Sequence, residues 1–292
     1  VAVTCHATSS RSEITDPECP YNRYYYEQIK KIAATGAEMG CYEYTMRGGT
    51  PQPLAILSNT KAYHDLGYVR FHTETMGRDE QRNIIAWVQA QLAWDVSQDS
   101  EELLRTFCRE YYGAAGDDVH TVLQLVDASI RKLPKMALGG AGDTQSIMTE
   151  KVIREGRKIL EAARKKVSDR EKKRLVRFHD TFEMFCLGGT YIRACWTAMD
   201  ERTPEAKDQA VQAIDRFVQF WEARNLNETC GPSILQAAKE YRKRAEKITP
   251  TVTPTANRKL AGRNMTGTGR ETLLQELFSF AKVPKRVEDL FF

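Results

Sequence analysis

The sequence predicts an α/β segment followed by an all-α one, and three observations carry that reading. Residues 1–98 hold three strand-like stretches, each followed by a helix-sized interval. From Asp99 the strand signal stops, and capped amphipathic stretches succeed one another to residue 247. Residues 248–269 then lose almost all apolar content, before Leu273, Leu274, Leu277 and Phe278 restore a helical face. The expected organisation is an α/β domain over 1–98, a helical domain over 99–247, a flexible linker over 248–269 and a helical tail over 270–292.

The first strand is Val1 to Thr4, ending at Cys5-His6. A polar loop containing Asp16-Pro17-Glu18-Cys19-Pro20-Tyr21-Asn22 follows, with Asn22 expected to cap a helix from Arg23 to Thr35 that Gly36 closes. The second strand, Cys41-Tyr42-Glu43-Tyr44-Thr45, runs into Gly48-Gly49-Thr50-Pro51-Gln52-Pro53, and Leu54 to Leu66 has room for a helix. The third, Tyr68-Val69-Arg70-Phe71-His72-Thr73-Glu74, runs into Met76-Gly77-Arg78-Asp79 and a helix to Trp94. Aromatic and β-branched residues favour strands, and Gly and Pro punctuate them. Parallel strands with helical crossovers need covering on both faces, as in a doubly wound sheet or a (β/α)8 barrel. Glu43 and Glu74 are then neighbours at the carboxyl edge.

In the second half, Asp99-Ser100-Glu101-Glu102 and Ser168-Asp169-Arg170-Glu171 are capping-box patterns, the first helix ending at Gly113. Val119, Val122, Leu123, Val126 and Ile130 mark a helix, as do Val152, Ile153, Ile159 and Leu160. Phe178, Phe182 and Phe185 form a core stripe at helical spacing. Thr203-Pro204 supplies a cap and a first-position proline, and Pro232 starts a last helix through Tyr241. The whole reads as an antiparallel helical bundle.

Of 292 residues, 41% are hydrophobic and 28% charged, ordinary for a soluble globular protein. No run of about 18 apolar residues exists, so no membrane span is expected. Net charge is +4, and residues 248–292 hold seven basic against four acidic side chains, leaving a nearly neutral body. That balance argues against nucleic acid as a partner. The seven cysteines include no CxxC pair and the histidines do not cluster, so neither a metal site nor a cofactor is expected. The cysteines read as small buried hydrophobes. The basic run from Arg164 reads as a solvated turn between helices. Asn227-Glu228-Thr229 and Asn264-Met265-Thr266 match the glycosylation sequon, a pattern common by chance. The opening Val1-Ala2-Val3-Thr4-Cys5-His6 is too short for a signal peptide and looks like a strand cut from something longer.

Several pieces together resemble a group of bacterial glycoside-hydrolase-like proteins, catalogued mainly as a domain of unknown function and related to α-glucuronidases. They are Val3-Thr4-Cys5-His6, Asp16-Pro17-Glu18-Cys19-Pro20-Tyr21-Asn22, Tyr42-Glu43-Tyr44-Thr45 with Pro51 and Pro53, and Leu66-Gly67-Tyr68-Val69-Arg70 with Glu74. Gln91-Leu92-Ala93-Trp94-Asp95, Tyr111-Tyr112-Gly113-Ala114-Ala115 and the helical pattern from Thr149 to Tyr191 continue the likeness. It covers roughly residues 1–245 and leaves the tail unmatched. The resemblance implies a partial (β/α) barrel of about three late units followed by the bundle, and an exported protein acting on an oligosaccharide or polysaccharide.

Glycoside hydrolysis uses two carboxyl groups across the scissile bond, one as acid and one as base or nucleophile. Adjacent parallel strands lie about 4.8 Å apart, so Glu43 and Glu74 can share one rim, and two such charges push one pKa upward. The resemblance implies that this pair is the base of an inverting reaction, with the acid on an earlier strand. The competing reading makes the glutamates strand-end residues bound to backbone or Arg. His6 and His72 can donate to a sugar hydroxyl or carboxylate, although for His72 a satisfied core position is favoured. Tyr42, Tyr44 and Arg47 can line a sugar site, and Arg78 matches a uronate carboxylate. The alternatives are a non-catalytic carbohydrate-binding or scaffold module, and a helical interaction domain that the sheet only supports.

Overall fold

The computed structural model describes residues 2–5, 12–43, 51–73, 79–133, 143–226 and 232–249. Within them the chain is mostly helical, with one small sheet. Strands β1 (Ala2–Cys5), β2 (Met39–Glu43) and β3 (Tyr68–Thr73) lie side by side in that order, all parallel. Helix α1 (Pro20–Ala33) joins β1 to β2, α2 (Ile56–Asp65) joins β2 to β3, and α3 (Glu80–Trp94) follows β3. The expected β/α alternation is present. A closed barrel is not: among the described residues β1 and β3 each have a single neighbouring strand, so the sheet is open.

The pleat sorts the strand residues onto two unlike faces. Met39, Cys41 and Tyr68 are buried against Ile29 of α1 and Tyr63 of α2, forming a small core with Ile14. On the other side Arg70 and His72 are exposed and Tyr42 is half-buried. Val69 is the extra residue of a bulge, since Met39 pairs with Tyr68 and Gly40 with Arg70, and it is 68% exposed. A parallel sheet is ordinarily covered on both faces. Here, among the described residues, helices cover one.

Helix α1 departs from expectation at its start. Cys19 takes the cap and Pro20 the first position, where a fixed φ and a missing N–H cost nothing. Asn22, expected as the cap, sits inside the first turn, fully buried, and its Nδ2 donates to the carbonyls of Ser12 (3.1 Å) and Glu13 (2.9 Å). Strand β2 also begins earlier than its aromatic residues indicate, because Met39 is buried in the small core.

Beyond α3 come α4 (Ser100–Tyr112), α5 (Gly116–Ile130), a short α6 (Thr144–Ile147), α7 (Glu150–Arg164), α8 (Asp169–Glu201), α9 (Pro204–Ala223) and α10 (Pro232–Glu246). The cap positions are those read: Ser168 and Glu171 form the expected reciprocal box and Thr203 accepts from Ala206 N, while Asp99 caps α4 by accepting from Glu102 N, the one half of its expected box that is seen. Gly113 closes α4 at φ +57°, a left-handed conformation that suits glycine. The phenylalanine stripe of α8 is core, joined by Trp221 and Phe217 of α9. That core reaches from Leu54 and Ile84 to Ala245, so α2 and α3 contribute to it as well as the bundle helices. Cys19, Cys108, Cys186 and Cys195 are free thiols, and they and Cys41 are buried. No helix among the described residues is long and apolar enough to cross a membrane. The 250–292 segment and both sequons lie outside the described residues.

Candidate functional site

The carboxyl ends of the three strands define the rim on which the candidate residues were expected. Cys5, Tyr42 and His72 stand in one row across the sheet, and Glu43 stands opposite Thr73. Glu43 therefore closes β2 with its backbone, while Glu74 is one position beyond the residue it faces. The Glu43 side chain, and residues His6, Tyr44, Arg47, Glu74 and Arg78, lie outside the described ones.

Tyr42 and His72 are described, and they meet. Their rings stack with centroids 4.8 Å apart and an interplanar angle of 27°. His72 is exposed on the bare face of the sheet, which corrects the expectation of a satisfied core histidine. The physical reason is the strand's alternation: Phe71 turns to the small core, so its neighbour turns away. Two stacked rings at adjacent strand ends make a flat, partly polar platform.

The chain segments that follow each strand are drawn back to this end of the sheet by buried polar contacts. Asn22 holds the Ser12–Glu13 backbone, and Ile14 N donates to Asn59 Oδ1 of α2 (2.9 Å). The strongest link joins the segments after β2 and β3. Gln52 N donates to Gln81 Oε1 (3.0 Å), and Gln81 Nε2 donates back to Gln52 O (3.1 Å). One side-chain amide thus pairs with both backbone polar groups of Gln52 across 29 residues, with both residues buried.

Sequence reading missed this cluster because nothing in the hydrophilic run Asp79-Glu80-Gln81-Arg82 signals burial. All four residues are buried. Asp79 caps α3 by accepting from Arg82 N, and its Oδ2 lies 3.1 Å from Arg82 Nε in a pair almost fully removed from water. Burial raises the Asp79 carboxyl above the ordinary range, while Arg82 pulls the other way. Glu80 is also raised, first by burial, with Arg177 and the Tyr112 hydroxyl opposing. Tyr112 Oη donates to Glu80 Oε2 at 3.4 Å, and Glu80 N donates to Thr181 Oγ1 of α8 at 3.2 Å. The one signal that could have exposed the cluster is Gln52 between Pro51 and Pro53: two prolines fix the chain and leave one peptide N–H that must find a partner.

Chemically, the described part of the rim offers a stacked aromatic pair, a braced set of strand-following segments and a buried acid–guanidinium pair beside them. Among the described residues no group of His, Cys, Asp and Glu is arranged to hold a metal ion. Residues 4–124 match the family model of a domain of unknown function, DUF4838. The match starts within β1 and ends within α5, so it takes in all three β/α units and the first bundle helices. No curated protein and no solved structure matches the chain.

Proposed function

We propose, taking the match of residues 4–124 to that domain family as the premise, that this chain is part of a carbohydrate-active protein. In this reading its three β/α units are part of a glycosidase barrel, and Glu43 and Glu74 are the carboxylates of the rim. The observation that supports it most is the pairing of a sheet face that no helix among the described residues covers with the Tyr42–His72 stack at the strand ends. A sugar ring presents flat C–H faces to aromatic surfaces and hydroxyls to carboxylates. His6, Tyr44, Arg47 and Arg78 belong to the same proposed surface, with Arg47 and Arg78 as the partners a uronate carboxylate would need. An inverting, α-glucuronidase-like reaction needs an acid about 6.5–9.5 Å from the base. That acid is proposed to come from outside these three strands.

The test is hydrolysis of a panel of aryl glycosides and glucuronides by the complete gene product, beside its Glu43→Gln and Glu74→Gln forms. Turnover should fall by two or more orders of magnitude in at least one variant, in line with the roughly 10²–10⁴-fold worth of acid–base catalysis. Equal turnover in all three proteins removes the assignment. A non-catalytic binding module is the second reading, and the same stack favours it. There, sugars bind and Tyr42→Ala weakens them, but no substrate is turned over.

A further inference from the structure

A second polar concavity lies where the segments entering α1 and α2 meet the bundle. It is a cleft of about 360 Å³ between α2, α4 and α5, with Glu13 at its edge. That volume lies within the range of small-molecule sites, roughly 300–1,000 Å³. Leu54, Leu57 and Leu104 supply an apolar floor.

The polar groups around that floor are already held in place. Asp127 Oδ1 accepts from Leu54 N (2.7 Å) and its Oδ2 from Arg131 Nε (2.6 Å), which fixes both walls. Glu101 Oε1 meets His120 Nε2 at 2.7 Å, and its Oε2 accepts from Gln124 Nε2 at 2.8 Å. A ligand entering here finds oriented acceptors without having to order them first, the condition under which a few polar contacts give useful affinity.

Charge narrows the choice of ligand. Glu13, Glu101 and Asp127 line the cleft against one guanidinium, Arg131. Arg105 Nε, 3.3 Å from Glu101, offsets a second carboxylate, so with the His120 imidazole neutral an excess of one negative charge remains. We propose that the cleft is a subsite for a hydroxylated ligand carrying a positive charge, an amino sugar residue, and that it disfavours a uronate. The proposal rests on the carbohydrate reading above and extends it, since it adds a second subsite, for a residue of opposite charge to a uronate. Sugar hydroxyls meet Gln124, Ser58 and the free lone pairs of Glu101. The ring's C–H face lies on the leucines, and the ammonium takes the Glu13 side.

The experiment is calorimetric titration of the chain with D-glucosamine, D-glucose and D-glucuronate near neutral pH, where much of the amine is still protonated and the negative excess of the cleft is kept. It is run on the parent, Ser58→Trp, Gln124→Leu and Glu13→Gln, with circular dichroism melts confirming that each is folded. D-Glucosamine should bind most tightly and D-glucuronate least. Ser58→Trp fills the cleft and should abolish binding. Glu13→Gln should weaken D-glucosamine by about two- to fivefold, the size expected of one exposed charge pair, while leaving D-glucose unchanged. The proposal is overturned if D-glucuronate binds as well as D-glucosamine, if no sugar binds, or if the folded Ser58→Trp or Gln124→Leu protein keeps parental affinity; should Ser58→Trp not fold, Gln124→Leu decides alone. Repeating the titration in the Glu43→Gln/Glu74→Gln background separates the two sites. Persistent binding there, alongside unaltered hydrolysis by the rim variants, would remove the rim assignment and leave the cleft standing.

Discussion

Replacing Gln81 with alanine removes the amide that the Gln52 backbone N–H and C=O reach at 3.0 and 3.1 Å. Both residues are buried, so water cannot take over. A buried polar group left unpaired costs about 1–3 kcal/mol, and the two together should cost about 2–4 kcal/mol once the desolvation of the lost amide is recovered. For a compact unit spanning Val1–Val252 that corresponds to a fall in Tm of roughly 5–12 °C. Gln81→Glu is the sharper probe. It keeps the acceptor for Gln52 N–H but sets a carboxylate oxygen against Gln52 C=O, and only the protonated acid can donate there. The new carboxyl is therefore pushed above its unfolded value of about 4.3. A raised carboxyl gives its folded-state advantage below that unfolded value and loses it as pH rises through the folded one. Thermal melts of parent and variant should show a deficit that is small near about pH 4.5 and large near about pH 7.5. An alanine variant melting within about 1 °C of the parent would show that the peptide clasp carries no weight. So would a glutamate variant whose deficit ignores pH.

Three further outcomes follow from packing and burial. Glu80 is raised by burial, so the parent carries an ionisation penalty that grows as pH climbs above about 4.3, and Glu80→Gln should gain on the parent between mildly acidic and neutral melts. Gly156→Ala would bring a Cβ 2.2 Å from Phe182 Cζ, so the buried Phe182 ring or the helices themselves must shift; urea denaturation should report a loss of about 1–3 kcal/mol. Cys108 and Cys195 are buried, and burial pushes both thiols up to about 12. Alkylation at mildly alkaline pH should leave both unmodified until denaturant is added, as read by mass spectrometry of the digests.

Much of this fold was legible where the local signal and the tertiary outcome agree. The three strands, the cap residues Asp99, Ser168 and Thr203, and the Phe178–Phe182–Phe185 stripe were readable because each states its environment within a few residues. Asn22 misled because a cap and a buried loop anchor use the same side-chain chemistry, and only the position of Ser12 and Glu13 tells them apart. The run from Asp79 to Arg82 gave no sign of its burial, because a hydrophilic stretch goes inside only where partners are waiting, and here Gln52, Tyr112 and Thr181 were. Whether three parallel strands belong to a doubly wound sheet or a barrel is a question of distant neighbours, which no local pattern contains. The rim itself was half legible: Tyr42 and His72 were named and do meet, while their stacking depends on a register that sequence does not fix.

Helix α3 links the two halves of this picture, and that has a consequence for dissecting the chain. Its first turn holds the rim through Gln81 and touches α8 and α4 through Glu80. Its next three turns place Ile84, Ile85, Val88 and Leu92 in the same core as Phe182 and Trp221. Burial of four such side chains contributes about 6–12 kcal/mol at roughly 1.5–3 kcal/mol each. Contacts with α2 would survive removal of the bundle, yet losing even half of that burial removes about 3–6 kcal/mol from a total stability on the order of 5–15 kcal/mol. The first 98 residues expressed alone should therefore lack a cooperative thermal transition and bind a hydrophobic dye. Residues 1–249 should melt in one cooperative step. A well-folded 1–98 fragment would mean that the sheet and its helices stand without the bundle, and that the rim is braced from the strand side alone.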